Sequence, residues 1–249
     1  MPTTATRSFV AAMAVFSSCS LLMFGCDQQK SAKPVAPATQ AASKSPSAPP
    51  GLTEVPFKPA RQLIVGTPKD IKIEGPLEPY IDKRPPFYAP PGVVNLAAKR
   101  PVTSSDKEPI IGSLDLITDG DREGVEGSWV ELGPGLQWVQ VDLGKTEQLW
   151  DILLWHFHAG PRVYKDVIVQ VSDAPNFATG VTTVFNNDHD NSAKMGIGKD
   201  KMYIESHVGK LIEIKGQAKG RYVRCYSKGN TSDDQNHYIE VEVYGLPGK

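Results

Sequence analysis

The stretch Gln137 to Gly144, reading Gln-Trp-Val-Gln-Val-Asp-Leu-Gly, restricts this chain most, because strict alternation over so short a run suits a pleated strand and little else. Val139, Val141 and Leu143 fall on one face and Trp138, Gln140 and Asp142 on the other. That is a strand buried on one side, and Gly144 is expected to end it. Further strand-like runs follow at Leu149 to His158, Val167 to Ser172, Val181 to Phe185, Lys210 to Ile214, Arg221 to Tyr226 and Tyr238 to Tyr244. Gly, Asn, Asp and Pro separate them, and no helical periodicity of useful length intervenes. The expectation is an all-β sandwich.

Upstream of these runs the chain reads differently. Residues 1–26 open with Arg7 and continue as an apolar run, Phe9 to Gly25, broken by Ser17, Ser18 and Ser20 and short for a spanning helix, which is how a secretory signal reads. Its end, Leu22-Met23-Phe24-Gly25-Cys26, resembles the lipobox of bacterial lipoproteins, although Met23 and Phe24 stand where that motif usually has a leucine and a small residue. The resemblance implies that Cys26 becomes the acylated first residue of the mature chain. An ordinary cleaved signal and an uncleaved anchor are the alternatives. Residues 27–51 form a linker, and from Gln28 to Pro50 it holds no aromatic, Leu or Ile, so it cannot bury enough apolar surface to fold. It reads as a disordered tether holding a domain away from a membrane. Residues 52–92 regain apolar character in Leu63-Ile64-Val65 and Ile71-Lys72-Ile73, but the recurrent prolines leave room only for short edge strands or an extended strap along the domain. The localisation that follows is the cell envelope of a bacterium, as an exported lipoprotein held to the membrane through its lipid.

Lys and Arg number 27 against 28 Asp and Glu, so the formal net charge of -1 gives no electrostatic footprint for nucleic acid. Of 3 cysteines, Cys19 and Cys26 belong to the N-terminal segment and only Cys225 to the domain, where it shares a strand face with Val223 and reads as a small buried thiol. The sequence holds no G-x-S-x-G, H-E-x-x-H, P-loop or Rossmann glycine pattern, and Glu123 and Glu126 have nothing to place them either side of a sugar bond. The reading is non-catalytic.

Within residues 93–245, Asn95-Leu96-Ala97-Ala98-Lys99-Arg100-Pro101-Val102-Thr103-Ser104-Ser105, Ile117-Thr118-Asp119-Gly120-Asp121, Trp138 to Gly144, Val169-Gln170-Val171-Ser172, Arg221-Tyr222-Val223-Arg224 and Glu240-Val241-Glu242-Val243-Tyr244-Gly245 resemble, in order and spacing, the discoidin or coagulation factor V/VIII type C domain. The resemblance implies a galactose-binding-like jelly-roll sandwich related to bacterial carbohydrate-binding modules. The fold also hosts phospholipid and protein binders, so function has to come from sites.

Asp119-Gly120-Asp121 sets two carboxylates across a glycine turn, which suits a hard cation or simply a turn. The resemblance implies a structural calcium here, completed by Glu240, although Arg122-Glu123-Gly124 stands where many members carry a Thr or Ser ligand. His156-Phe157-His158 puts two imidazoles on one face of a strand, a pattern able to chelate zinc or iron, but Arg162 and Val163 stand where a cupin would supply a Glu. His156, His158 and Arg162 read instead as sugar-contacting donors at a loop end, or as plain strand-capping groups. Two polar loops, one with Asn186-Asn187-Asp188-His189-Asp190-Asn191 and one from Gly229 to His237, are expected to bring His189, Asn230 and His237 to the same rim, with Trp129, Trp155 and Tyr164 as candidate platforms. The reading is a glycan-binding module, with a protein-docking module of an envelope complex as the alternative and a metalloenzyme on His156 and His158 behind both.

Overall fold

A computed structural model of the chain describes residues 48–69 and 71–248; Cys26, the signal segment and nearly all of the tether lie outside the described residues. The described part belongs to one compact unit, residues 46–249. In chain order its strands are β1 (Thr53–Glu54), β2 (Tyr88–Ala89), β3 (Val94–Asn95), β4 (Val102–Ser104), β5 (Val130–Leu132), β6 (Gln137–His156), β7 (Ile168–Ser172), β8 (Thr182–Asn186), β9 (Lys210–Ser227) and β10 (Asn236–Leu246), with a short 3-10 turn at Leu114–Thr118. The strand pairs of the sheet are antiparallel.

β6 and β9 are 20 and 18 residues long, so the runs read in the sequence as separate strands are halves of two continuous ones. Gly144 does not end its strand. It sits at φ +88, donates its N–H to Asp142 Oδ1 at 2.8 Å, and lies in a register shift of the β6–β9 ladder between Asp142 and Glu147. β9 bends at the next register shift, between Leu149 and Asp151, through Lys215 (φ 53) and Gly216 (φ 77). An irregular step of this kind turns a strand without breaking its ladder. The first half of β6 pairs with β4 and with Tyr222 to Ser227 of β9; the second half pairs with β10 and with Lys210 to Glu213. The two strands thus pass together from one layer of a sandwich to the other.

The core between the layers draws Val139, Val141, Leu143, Val169, Val171, Val223 and Cys225 from one side and Ile152, Leu154, Ile212, Val241 and Val243 from the other. Cys225 is buried there, and desolvation pushes its thiol up to about 12.

A second, smaller core lies on the outer face of the second layer. Leu153 and Trp155 point away from the main core and are covered by Val55, Phe57, Phe87 and Ala89 of the proline-rich segment, with Ile239 and Tyr244 alongside. Phe57 stacks on Trp155 with centroids 6.2 Å apart, and the Trp155 indole N–H donates to the His207 carbonyl at 3.2 Å. The segment is pinned by β1 on β2, by a parallel bridge from Leu77 to Met202, by Arg84 on the carbonyls of Val208 and Gly209, and by Lys210 on Glu78 at 2.6 Å. Covering both faces explains why Leu149 to Trp155 is almost wholly apolar where Gln137 to Leu143 alternates.

Candidate functional site

Three loops meet at one end of the sandwich: residues 157–167 after β6, 187–209 between β8 and β9, and 228–235 between β9 and β10. Backbone bonds lace them together. Lys165 donates to the Gly229 carbonyl at 3.0 Å, Lys228 to Lys165 at 2.9 Å, Thr231 to Val163 at 3.0 Å and Asn187 to Val167 at 3.1 Å. The loops that carry His189, Asn230 and Arg162 therefore do converge, but much of their polar chemistry is spent on holding them together.

His156 is fully buried; its Nδ1 lies 2.7 Å from Glu205 Oε1, its ring stacks on Tyr164 at 4.2 Å, and Tyr238 closes the other side. It presents no atom to a ligand in solvent. His158 is also buried, with Nε2 donating to the Arg122 carbonyl at 2.9 Å and the ring packed on Gly124, where a Cβ would come within 3.0 Å. β6 ends at His156, so the two imidazoles turn to different partners instead of closing on one ion. Asn230 is buried and builds its own loop, its Oδ1 accepting from the Ser232 and Asp233 amides and its Nδ2 donating to Asp233 Oδ1 at 2.6 Å. His189 donates through Nε2 to the Asp200 carbonyl at 2.8 Å. Of the expected platforms, Trp155 is core and Tyr164 is buried. His156, His158 and Asn230 are thus shut inside the loop end, while His189 is half-buried and lines a cavity beside it.

Nearer the surface is a second layer, in which Phe157, Arg162, Glu131 and Asp233 are half-buried and His237 is buried. The Arg162 guanidinium lies 4.5 Å over the Phe157 ring and pairs with Asp233 Oδ2 at 3.3 Å, while Phe157 meets the Trp129 ring edge-on at 4.9 Å. His237 sits 5.9 Å from Phe157, its Nδ1 2.8 Å from the Tyr164 hydroxyl and its Nε2 3.4 Å from Glu131 Oε2. Desolvation holds His237 down at about 4, against the pull of the Asp233 charge, so the ring is neutral at pH 7. A Tyr164 hydroxyl that donates to Nδ1 would leave the ring proton on Nε2, on the side of Glu131. Glu131 is itself raised, first by burial and then by Asp233. Arg162 Nε and the Trp129 indole N–H have no partner within the protein, and both atoms are shut away from solvent. The sequence reading singles out neither Phe157 nor Glu131, whereas Asp233 belongs to the polar loop Gly229 to His237 that it does mark. The signal for Phe157 was present all the same, since the alternation that pairs His156 with His158 puts Phe157 on the opposite face.

Around Asp119, Glu240 is fully buried; its Oε2 accepts the Gly120 amide at 3.1 Å, its Oε1 has no partner, and desolvation pushes it up to about 9. An orphaned buried carboxylate oxygen fits a cation. The other two expected ligands fit less well, because Asp119 Oδ1 accepts the Asp121 amide at 2.7 Å, Asp121 Oδ1 accepts the Glu123 amide at 2.8 Å, and Lys99 already reaches the Asp119 carbonyl at 2.5 Å. Among the described residues, the acidic trio whose oxygens close to within 4.8 Å of one another is Asp166, Asp188 and Asp190. That trio is already satisfied: Asp188 accepts the Ser192 and Ala193 amides, and Lys228 stands 3.6 Å from Asp166.

No protein-family model and no curated protein matches the sequence. Among solved structures the chain is similar to a chitosan-binding module of a chitosanase/glucanase from a Paenibacillus species, at 21% identity over 61% of this chain and 99% of that one, with a TM-score of 0.41. It is similar also to a fucose-binding module from Streptococcus pneumoniae (18% identity, 62% of this chain and 99% of that one, TM-score 0.44). A family 89 glycoside hydrolase from Clostridium perfringens matches at 20% identity over 63% of this chain and 16% of that one, with a TM-score of 0.45. At such scores the fold stands on the strand pairing described above.

Proposed function

We propose that this chain is a non-catalytic carbohydrate-binding module, held to a bacterial membrane through Cys26, that binds a glycan at the surface formed by Phe157, Arg162, Asp233, Glu131 and His237. The observation that carries the reading is the Arg162 guanidinium laid over Phe157, with Asp233, Glu131 and a neutral His237 around it. A sugar offers an apolar ring face and an array of hydroxyls that donate and accept, and this surface supplies an aromatic edge, a guanidinium and two carboxylates. A glycan array probed with the mature chain tests it. Binding of a glycan that is lost in Arg162→Ala and Phe157→Ala, with Tm kept and no new reducing ends released from the bound glycan, supports the reading; retention of binding by both variants defeats it.

The docking alternative has an observation of its own. Ile110 and Ile111 are 56% and 42% exposed and run beside Glu131, so an apolar strip borders the same surface. A chain that ignores every glycan offered yet captures one envelope protein, with Ile110→Asp abolishing capture, would favour it.

Two further parts of the reading concern attachment and metal. Acylation at Cys26 predicts that a fatty-acid analogue labels the chain and that Cys26→Ala removes both label and membrane association. A structural calcium at Glu240, completed by Asp119 and Asp121 after their amide contacts rearrange, predicts a higher Tm in calcium than in EDTA.

A further inference from the structure

We propose a second saccharide subsite, in the cavity of about 900 Å³ that the N-terminal strap closes against the loops, taking a neutral oligosaccharide by its hydroxyl edges. The inference rests on the carbohydrate reading and extends it. Loop 228–235 serves both places, giving Asp233 to the Phe157 surface and Thr231 and Asp234 to the cavity. A chain of sugars crossing that loop would touch both.

The cavity has a built donor. Asn187 is 2% exposed, its Oδ1 accepts the Val167 amide at 2.7 Å, and its Nδ2, on a residue lining the cavity, has no partner. A buried amide left unpaired is costly, so an acceptor arriving there is strongly favoured. Lys72 and Lys165 also line it, and neither ammonium group makes an ion pair among the described residues; the same holds for the carboxylates of Glu74 and Asp234. Unpaired donors beside unpaired acceptors suit a polyhydroxylated ligand.

The lining also narrows the class. Its carboxylates (Glu74, Asp166, Asp190, Asp234) outnumber its ammonium groups (Lys72, Lys165, Lys228), so a uronate chain would meet a slightly negative wall. Among the described residues no Phe, Tyr or Trp lines the cavity, and the one aromatic ring there is the His189 imidazole, so hydroxyl contacts lead the binding. The volume lies in the upper part of the range of about 300–1,000 Å³ usual for ligand pockets, room for more than one sugar unit. The strap wall is held in place: Glu78 donates to the Met202 carbonyl at 2.8 Å, Met202 to Pro76 at 2.9 Å, and Gly75 packs so tightly that a Cβ would lie 2.7 Å from Met202 Cε.

Calorimetry on the mature chain, using the neutral glycan that binds best on the array as its disaccharide and its hexasaccharide, tests the subsite. Asn187→Asp keeps the acceptor for the Val167 amide and removes the donor, and Lys72→Ala changes an exposed strap side chain whose loss does not endanger folding. Both variants should weaken the hexasaccharide by about tenfold and leave the disaccharide unchanged, whereas Arg162→Ala should weaken both. Hexasaccharide affinity unchanged in both cavity variants but lost in Arg162→Ala would overturn the subsite and leave the Phe157 surface standing. Arg162→Ala with no effect, alongside weakened cavity variants, would move the whole site into the cavity. An oligouronate bound more tightly than the neutral chain would overturn the assigned ligand class, and a mature chain that binds no neutral saccharide would overturn the subsite and the carbohydrate reading together.

Discussion

At the loop end of the sandwich two layers use the same kinds of residue in opposite ways. In the inner layer, His156, His158 and Asn230 each reach an internal partner and are closed off by Tyr164, Gly124 or their own loop. In the outer layer, Phe157 and Arg162, the one between the two histidines and the other four residues beyond the second, lean on each other and keep surface open to solvent. The difference teaches that a polar residue in a loop is a weak indicator of recognition. What separates the layers is burial: His156, His158 and Asn230 are shut off from solvent even though one ring nitrogen of each histidine has no partner, whereas Phe157 and Arg162 are only half-buried.

The comparison breaks most visibly at His156. Replacing it with Ala leaves Glu205 buried beside an empty space, and the loss should be about 3–5 kcal/mol, read as a large drop in the urea midpoint. A midpoint that barely moves would mean the inner layer is not structural. Arg162→Ala, by contrast, removes a partly exposed ion pair and should change stability by no more than about 1 kcal/mol.

Glu240 sharpens the contrast from a third position, a buried carboxyl with one unmatched oxygen. Its folded value of about 9 lies above the ordinary 4.5, so the native state holds a proton that the unfolded state gives up. Stability should therefore fall as pH rises from about 4.5 towards 9, by about 1–3 kcal/mol, in EDTA. Glu240→Gln should flatten that decline, and calcium should flatten it too if the ion takes the proton's place. A decline that persists in Glu240→Gln would assign it to another group.

In the outer layer the expected effect is on binding. Phe157→Ala should weaken glycan affinity by about tenfold, some 1.4 kcal/mol, while the melting curve stays close to that of the parent. Should affinity and Tm fall together, Phe157 belongs to the inner layer after all.

His237 joins the layers and should give the smallest signal. Its folded value of about 4 is below the ordinary 6.5, so the unfolded state binds the extra proton first. The stability it contributes is complete above about pH 6.5 and is lost as pH falls towards 4. Discounted for the part of the ring near solvent, that is about 1 kcal/mol, and His237→Gln should remove it from the acid limb of the curve.

The sequence alone determined a good deal. Alternation in Gln137 to Leu143 and the apolar runs after it specify strands, their spacing specifies an all-β sandwich, and the turn-rich stretches mark the loops, because backbone pleating and turn chemistry are local properties. The same pattern implied that Phe157 opposes its two histidine neighbours. Which of the two faces would be inside was decided by the tertiary structure, through Tyr164 further along the same loop and through Glu205 and Gly124 from distant segments. So was the fate of Gly144, whose local signal to stop was overridden by the ladder that β9 continues on the far side of the bend. The strap's small core on Trp155 and the cavity between Lys72, Asn187 and Asp234 were beyond any local reading. They exist because distant segments pack together, and burial, unlike pleating, depends on what the rest of the chain brings to a side chain.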